Sequence, residues 1–160
     1  MKPFRILLIA AVVAMGMNCG EKLATEVPYP DGYRHWTHVK SLELKDKHPL
    51  FKDFGGVHHV YVNDTGIAAL KSGQVFPDGS TIVFDLLDVK SNDAATAEGS
   101  RKVLAVMYKN SSAFASTKGW GFEGFKGDTR ERVVNGKHAS CFGCHATEGK
   151  SDYVYSKYRE

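Results

Sequence analysis

The feature of this sequence that most constrains its fold is an apolar run, rich in β-branched residues, at 81–87. It directly follows a Pro-Asp-Gly-Ser stretch at 77–80, in which proline, aspartate and glycine favour a tight turn. β-Branched residues fit a pleated sheet, so a central strand is expected here. Further runs at 57–62, 102–109 and 120–125 have the alternation or composition of strands. The sequence therefore predicts a domain dominated by β-structure.

The segments between these runs predict little helix and one long loop. Residues 67–71 can form a short helix after an Asn-Asp turn signal. The polar, small-residue stretch 91–100 is predicted to be an exposed loop, and the chain becomes polar and irregular after residue 126. A chain of 160 residues suffices for one domain with a hydrophobic core and is too short for two. We predict a single domain at 28–160.

The charge pattern gives no support to nucleic-acid binding. The chain carries 21 Lys and Arg and 18 Asp and Glu, a formal net charge of +3, and these charges are spread along its length. No Lys/Arg-rich block that could follow a phosphate backbone is present. Apolar residues at 42% and charged residues at 24% are typical of a globular protein. The partners we expect are therefore not nucleic acids.

Residues 1–19 have the pattern of an export signal. Lys2 and Arg5 precede an apolar run at 6–14 that is too short to span a membrane. Cys19 stands where a bacterial lipoprotein is cleaved and acylated, although the Gly-Met-Asn before it is a poor version of the usual motif. Acylation of Cys19 would anchor the protein to a membrane, and ordinary cleavage would release it. Both cases predict a periplasmic or otherwise extracytoplasmic protein.

The sharpest motif is Cys141-Phe-Gly-Cys144-His145. In a C-x-x-C-H sequence the two thiols add to the vinyl groups of haem, and the histidine supplies an axial nitrogen to the iron. A redox-active pair, a zinc half-site or a structural disulfide would also use two cysteines. A zinc site needs two more ligands at suitable spacing, and a redox pair is expected in a βαβ setting. The sequence offers neither, so we predict one covalent haem c, with His145 as axial ligand.

The residue on the other side of the iron decides whether such a haem is six-coordinate or open to small ligands. Met107 follows the apolar alternation of its strand, which is typical of a core residue. His58 shares a strand face with two valines and is the stronger candidate for the haem pocket, although a hydrogen-bonded core histidine would show the same pattern. Four other histidines lie in turn-rich or polar surroundings and are predicted to be on the surface: His35, His38, His48 and His138.

Further stretches of the chain match, in order, the landmarks of a known family. These are Tyr-Pro-Asp-Gly-Tyr-Arg-His-Trp at 29–36, Val-Tyr-Val-Asn at 60–63 and Phe-Pro-Asp-Gly-Ser at 76–80. Together with a C-terminal C-x-x-C-H, they resemble the cytochrome P-460 family and its relatives, the cytochromes c′-beta. The resemblance implies a mainly β, α+β fold: an antiparallel β-sheet with a few helices and a C-terminal haem-binding loop. It also implies a homodimer with one five-coordinate haem per chain.

Three positions depart from the hydroxylamine-oxidising members of that family. The lysine that those members cross-link to the haem macrocycle is matched here by Phe84, which cannot form the bond. Their distal arginine is matched by His58, and their distal acidic residue by Ala105. The resemblance therefore shifts toward the cytochromes c′-beta, in which phenylalanine packs over the open iron face. It implies a distal pocket of Phe84 and His58.

These features favour one function and leave two alternatives open. An apolar ring offers no hydrogen bond to bound dioxygen, so an open site beside Phe84 favours nitric oxide or another diatomic gas. The first alternative is a haem oxidoreductase acting on hydroxylamine or peroxide, with His58 as acid or base. The second is a periplasmic electron carrier, which requires His58 or Met107 as a sixth ligand. The sequence does not identify a redox partner.

Overall fold

The protein is built around one five-stranded antiparallel sheet, which confirms the predicted mainly β, α+β fold. The computed structural model describes residues 24–159, so the predicted export signal at 1–19 and Cys19 lie outside the described residues. Each strand pairs with its neighbours along the chain, in the spatial order β1-β2-β3-β4-β5. The strands are β1 (Thr37–Leu44), β2 (Gly56–Val62), β3 (Thr81–Ser91), β4 (Thr96–Lys109) and β5 (Trp120–Lys126).

Short helices connect and flank these strands. The α-helices are α1 (Phe51–Phe54), α2 (Asp64–Ser72) and α3 (His138–His145), and the 3₁₀ turns are Tyr33–His35, Ala115–Thr117 and Ala146–Ser151. Helix α2 begins before the predicted 67–71 because the side chain of Asn63 accepts a hydrogen bond from the backbone N–H of Gly66, at 3.1 Å. Such a cap satisfies a backbone donor that would otherwise lack a partner at the helix start. Among the described residues, no helix is long and apolar enough to cross a membrane.

Two local predictions were wrong, and one strand was missed. The segment 91–100 is not one long loop: β3 runs to Ser91 and β4 starts at Thr96, so the two strands extend as a hairpin beyond the rest of the sheet, with residues 92–95 as its turn. Strand β1 was not predicted, although it pairs with β2 along most of its length. The C-terminal cysteine motif lies on helix α3 and not on a loop. In each case backbone pairing or helix formation overrides a weak side-chain signal.

The two faces of the sheet bury different clusters. The front face carries Val60, Ile82, Met107 and Phe122, and it packs against residues of α2, α3 and the C-terminal segment. The back face packs Val83, Leu104, Val106 and Phe125 against the N-terminal segment and the loop after β4. The cysteine motif therefore lies on the front-face side of the molecule.

Candidate functional site

Helix α3 carries both cysteines of the motif on the front-face side of the sheet. Cys141 is half-buried and packs against the front-face core, whereas Cys144 is exposed. Their spacing of three residues places the two side chains on the same side of the helix. Neither thiol is in a disulfide, and burial raises the pKa of Cys141. The two sulfurs are thus free and presented together at the edge of an apolar cluster.

His145 is held in one protonation state by the backbone. Its Nδ1 lies 2.8 Å from the carbonyl oxygen of Tyr153, and because a carbonyl only accepts, Nδ1–H is the donor. Burial lowers the pKa of His145 and favours the neutral ring. The ring packs against Phe122 and Tyr155, with centroid separations of 5.0 and 5.1 Å. Its Nε2 therefore keeps the lone pair that a metal ligand needs.

The middle of the front face is only partly covered by the described residues. Phe84 lies on the central strand of the sheet and is paired directly with Ala105 on β4. Both residues, together with the neighbouring Val103, are only partly buried, although the residues before and after Phe84 and Ala105 on their strands are buried. We call Phe84, Val103 and Ala105 the front patch. It is an apolar surface at the centre of a sheet, where a side chain is normally covered.

His58 lies beside the front patch. Its ring centroid is 4.4 Å from that of Phe84, and the residue is 1% exposed. Its Nε2–H donates to the carbonyl oxygen of Phe54, the last residue of α1. Burial lowers the pKa of His58 despite this hydrogen bond, so the ring is neutral near pH 7. The Nε2 of His58 is therefore occupied by the backbone of α1.

The other candidate ligands are less prominent. Met107 is 9% exposed and packs in the front-face core, opposite Ile82 and Phe122 in the strand pairing. His138 was predicted to be on the surface but is half-buried, with its ring 5.0 Å from Phe114. His35, His38 and His48 are exposed, as predicted. No group of three or more His, Cys, Asp or Glu residues within 24–159 is arranged to hold a metal ion, which does not favour the zinc alternative.

A comparison with family models decides the family. The model of the family described as Cytochrome P460 matches residues 30–156, which is most of the chain. The chain belongs to the cytochrome P460 family. Membership makes it a haem-binding cytochrome. A search of curated proteins returns no match.

The residues present in this cytochrome P460 family member fit a haem. Cys141 and Phe142 on α3, Tyr153 after it, and Phe84 on the sheet all pack against the same buried cluster. A haem is flat and largely apolar, so it suits an exposed apolar patch next to the helix that carries its attachment motif. The neutral ring of His145, with Nε2 unprotonated, suits an axial iron ligand. The chemistry of the donor set and the uncovered patch thus agree with the family.

Two residues at this site were missed by sequence reasoning. Phe54 closes α1 and lies edge-on to Phe84, with ring centroids 6.2 Å apart, and its carbonyl orients His58. The paired phenylalanines at 51 and 54 are the only signal that could have pointed to it. Tyr153 contributes through its backbone carbonyl, which any residue possesses, so no sequence pattern could have identified it.

Proposed function

We propose that this protein is an exported c-type cytochrome that binds nitric oxide, or another diatomic gas, at a single five-coordinate haem. The observation that carries the proposal is the front patch, an apolar, partly exposed surface around Phe84 on the same cluster as the cysteine helix. The sequence alone could not distinguish such a patch from ordinary core packing around Phe84. Its partial exposure favours a pocket.

Attachment of the haem is assigned to α3. Cys141 and Cys144 are proposed to form the two thioether bonds, and His145 to bind the iron through Nε2. When bound, the haem supplies an iron centre that can take up small diatomic ligands. The protein orients His145 through the Tyr153 carbonyl and limits access of water to that side with the rings of Phe122 and Tyr155.

An open sixth position is supported by the state of the two candidate ligands. The Nε2 of His58 carries a proton that is donated to Phe54, so this nitrogen has no lone pair to give. Met107 is packed in the core, where a thioether behaves as an ordinary apolar side chain. Phe84 has no polar atom. An apolar pocket of this kind stabilises bound dioxygen poorly and leaves nitric oxide favoured.

The test is the ultraviolet-visible spectrum of the mature protein, ferric and dithionite-reduced, before and after addition of nitric oxide. A high-spin, five-coordinate ferrous spectrum that changes with nitric oxide is expected, without the band of a lysine cross-link. A low-spin, six-coordinate spectrum that ignores the gas would refute the proposal and favour an electron carrier. His145→Ala should abolish the five-coordinate spectrum. His35→Ala, at an exposed histidine, should preserve it and is the matched control.

One observation favours a second function, an oxidoreductase acting on hydroxylamine or peroxide. His58 lies 4.4 Å from Phe84, close enough to the front patch to exchange a proton with a bound substrate if its Nε2–H leaves Phe54. Steady-state turnover with a suitable electron acceptor or donor, lost in His58→Gln, would support it. Absence of turnover in the wild type would exclude both substrates.

Location and assembly are part of the same proposal. Cell fractionation is expected to find the protein outside the cytoplasm, and Cys19→Ser would release it from membranes if Cys19 is acylated. A homodimer is expected from the resemblance to cytochromes c′-beta. Sedimentation equilibrium tests it, and a single species at the mass of one chain would contradict it.

A further inference from the structure

A buried ion pair joins the end of β4 to the C-terminal segment. The Lys109 Nζ lies 3.0 and 2.9 Å from the two carboxylate oxygens of Asp152, and the side chains are 4% and 8% exposed. Nζ also donates to the carbonyl of Lys118, at 3.2 Å, and lies 4.8 Å from the ring centroid of Trp120. Burying two charges is costly, and an apolar pair of similar volume often stabilises a fold equally well. The pair therefore calls for an explanation other than stability.

The ion pair holds a strained stretch of backbone. Asp152 and Tyr153 are consecutive non-glycine residues with positive φ, 47° and 67°. This left-handed region is unfavourable for side chains with a Cβ, and most of all for a bulky one such as tyrosine. Such strain persists only where surrounding contacts fix the backbone. Here Asp152 also accepts a hydrogen bond from the N–H of Phe76 at 2.9 Å, and its carbonyl accepts one from Trp120 Nε1 at 2.8 Å.

The strained backbone at Asp152 and Tyr153 fixes the direction of the carbonyl group that faces His145. The oxygen of Tyr153 accepts the Nδ1–H bond at 2.8 Å, and its direction depends on the left-handed backbone at 152 and 153. We propose that Lys109 and Asp152 are positioning residues for the axial histidine. They hold the Tyr153 carbonyl so that His145 keeps its Nδ1–H tautomer and binds iron strongly through Nε2. The inference rests on the proposed function, because it requires His145 to be the iron ligand.

The physical link is the polarisation of the imidazole ring. A carbonyl that accepts a hydrogen bond from Nδ1–H increases the electron density at Nε2 and fixes the ring plane, which strengthens the bond to a metal. If the carbonyl moves away, Nδ1–H either donates to water or is left without an acceptor. The bond between His145 and the iron then weakens, even though His145 itself is unchanged. A role in folding alone would leave that bond as it is.

The test uses the reduced holoprotein and the double variant Lys109→Met/Asp152→Ala. Because both charges are removed together, no unpaired charge is left in the interior. Resonance Raman spectroscopy measures the iron–histidine stretching frequency, which is expected to fall and broaden. The equilibrium constant for displacement of His145 by nitric oxide is expected to rise by about tenfold, within the usual effect of losing an outer-shell partner. The visible spectrum records that displacement.

A second variant guards against failure of the first to fold. Lys109→Met/Asp152→Asn also removes both charges, and its asparagine tolerates positive φ and keeps an acceptor for the Phe76 N–H, so a smaller shift in the same direction is expected. Asp85→Asn breaks a buried ion pair on the back face and should destabilise the protein while leaving the iron–histidine frequency unchanged. If the iron–histidine frequency is unchanged in the Lys109 and Asp152 variants that fold, this inference is overturned while the proposed function still stands. A wild type without an iron–histidine band would overturn the proposed function as well.

Discussion

The two faces of the sheet differ in what they bury at the central strand: the back face buries a fully hydrogen-bonded carboxylate, and the front face leaves an apolar ring partly exposed. On the back face, Asp85 is fully buried yet completely paired: Arg101 Nε donates to it at 2.7 Å, and the hydroxyl of Tyr33 donates to its other oxygen. Arg101 also donates to the Tyr33 oxygen at 2.7 Å. The front face, by contrast, leaves the apolar ring of Phe84 partly exposed on the central strand.

This difference separates stability from function within one sheet. A buried network with every partner present is rigid and contributes to the fold without offering a site. Burial and the hydrogen bond to Asp85 raise the pKa of Tyr33 to about 12, so the network keeps its protons through the physiological range. The front patch leaves apolar side chains partly exposed at the centre of the sheet. Exposed apolar surface of this kind is expected where another group binds.

The largest expected effect is on haem content. Cys141→Ala/Cys144→Ala should abolish covalent haem, because both thioether bonds of the proposed attachment depend on these sulfurs. A haem stain of the denatured protein on a gel measures the loss. Ser140→Ala, an exposed neighbour on α3, is the matched control and should retain haem. Covalent haem in the double cysteine variant would contradict the assignment.

The next largest expected effect is on the free energy of unfolding, when the buried network of the back face is broken. Asp85→Asn should lower the free energy of unfolding by about 3 kcal/mol, because it leaves the partly buried Arg101 with the exposed Asp128 as its remaining carboxylate partner. Urea unfolding at pH 7 measures it. The exposed pair of Asp31 and Arg130 offers a control, since Asp31→Asn should cost at most about 1 kcal/mol. Equal losses in the two variants would show that the back-face network contributes no special stability.

A smaller effect should distinguish the two faces along a single strand. Phe84→Ala is expected to cost about 1–2 kcal/mol, less than the usual loss for a fully buried phenylalanine, because the ring is only partly buried. It should also admit larger ligands such as imidazole, measured by visible titration. Val83→Ala, which removes buried back-face contacts, should lower stability without affecting imidazole binding. Imidazole binding that is the same in both variants would place Phe84 away from the haem.

The smallest effect is the acid dependence of the back-face network. Burial alone would raise the pKa of Asp85, but hydrogen bonds from Arg101 and Tyr33 outweigh it and hold the pKa below its ordinary value. Because the folded-state pKa is the lower one, the stabilisation is complete above about pH 4 and is lost as the pH falls through that folded value. The difference in unfolding free energy between wild type and Asp85→Asn should therefore shrink below pH 4. A constant difference down to pH 2 would contradict this.

The fold was predictable from sequence wherever burial left a clear pattern. The strand at 81–87 and those at 57–62, 102–109 and 120–125 all have an apolar face that must be covered, and all four form. The hairpin end at 91–96 carries small, exposed residues, so its pairing depends on backbone hydrogen bonds that leave no side-chain signature. Helix α3 buries no residue completely, which explains why periodicity did not reveal it.

The candidate site was predictable to the extent that it depends on side chains. The cysteine motif and His58 were singled out from residue type and strand pattern, whereas Phe84 was singled out only through the resemblance to the cytochromes c′-beta. The structure places His58 beside Phe84. The support of His145 was not identified, because it passes through the Tyr153 carbonyl and a left-handed backbone without glycine. Sequence rules that look for glycine at such positions cannot find them.

The meander order of the strands also has a consequence for biosynthesis. Each strand from β2 to β5 pairs with the strand that precedes it along the chain, so every pairing joins strands that are neighbours in sequence. Helix α3 follows all five strands, and a chain is made from its N-terminus. The helix that carries the cysteines is therefore made after the whole sheet. If haem is attached through these cysteines as proposed, it is added only after all five strands have been synthesised, so the strands can begin to pair before the cysteine helix is available.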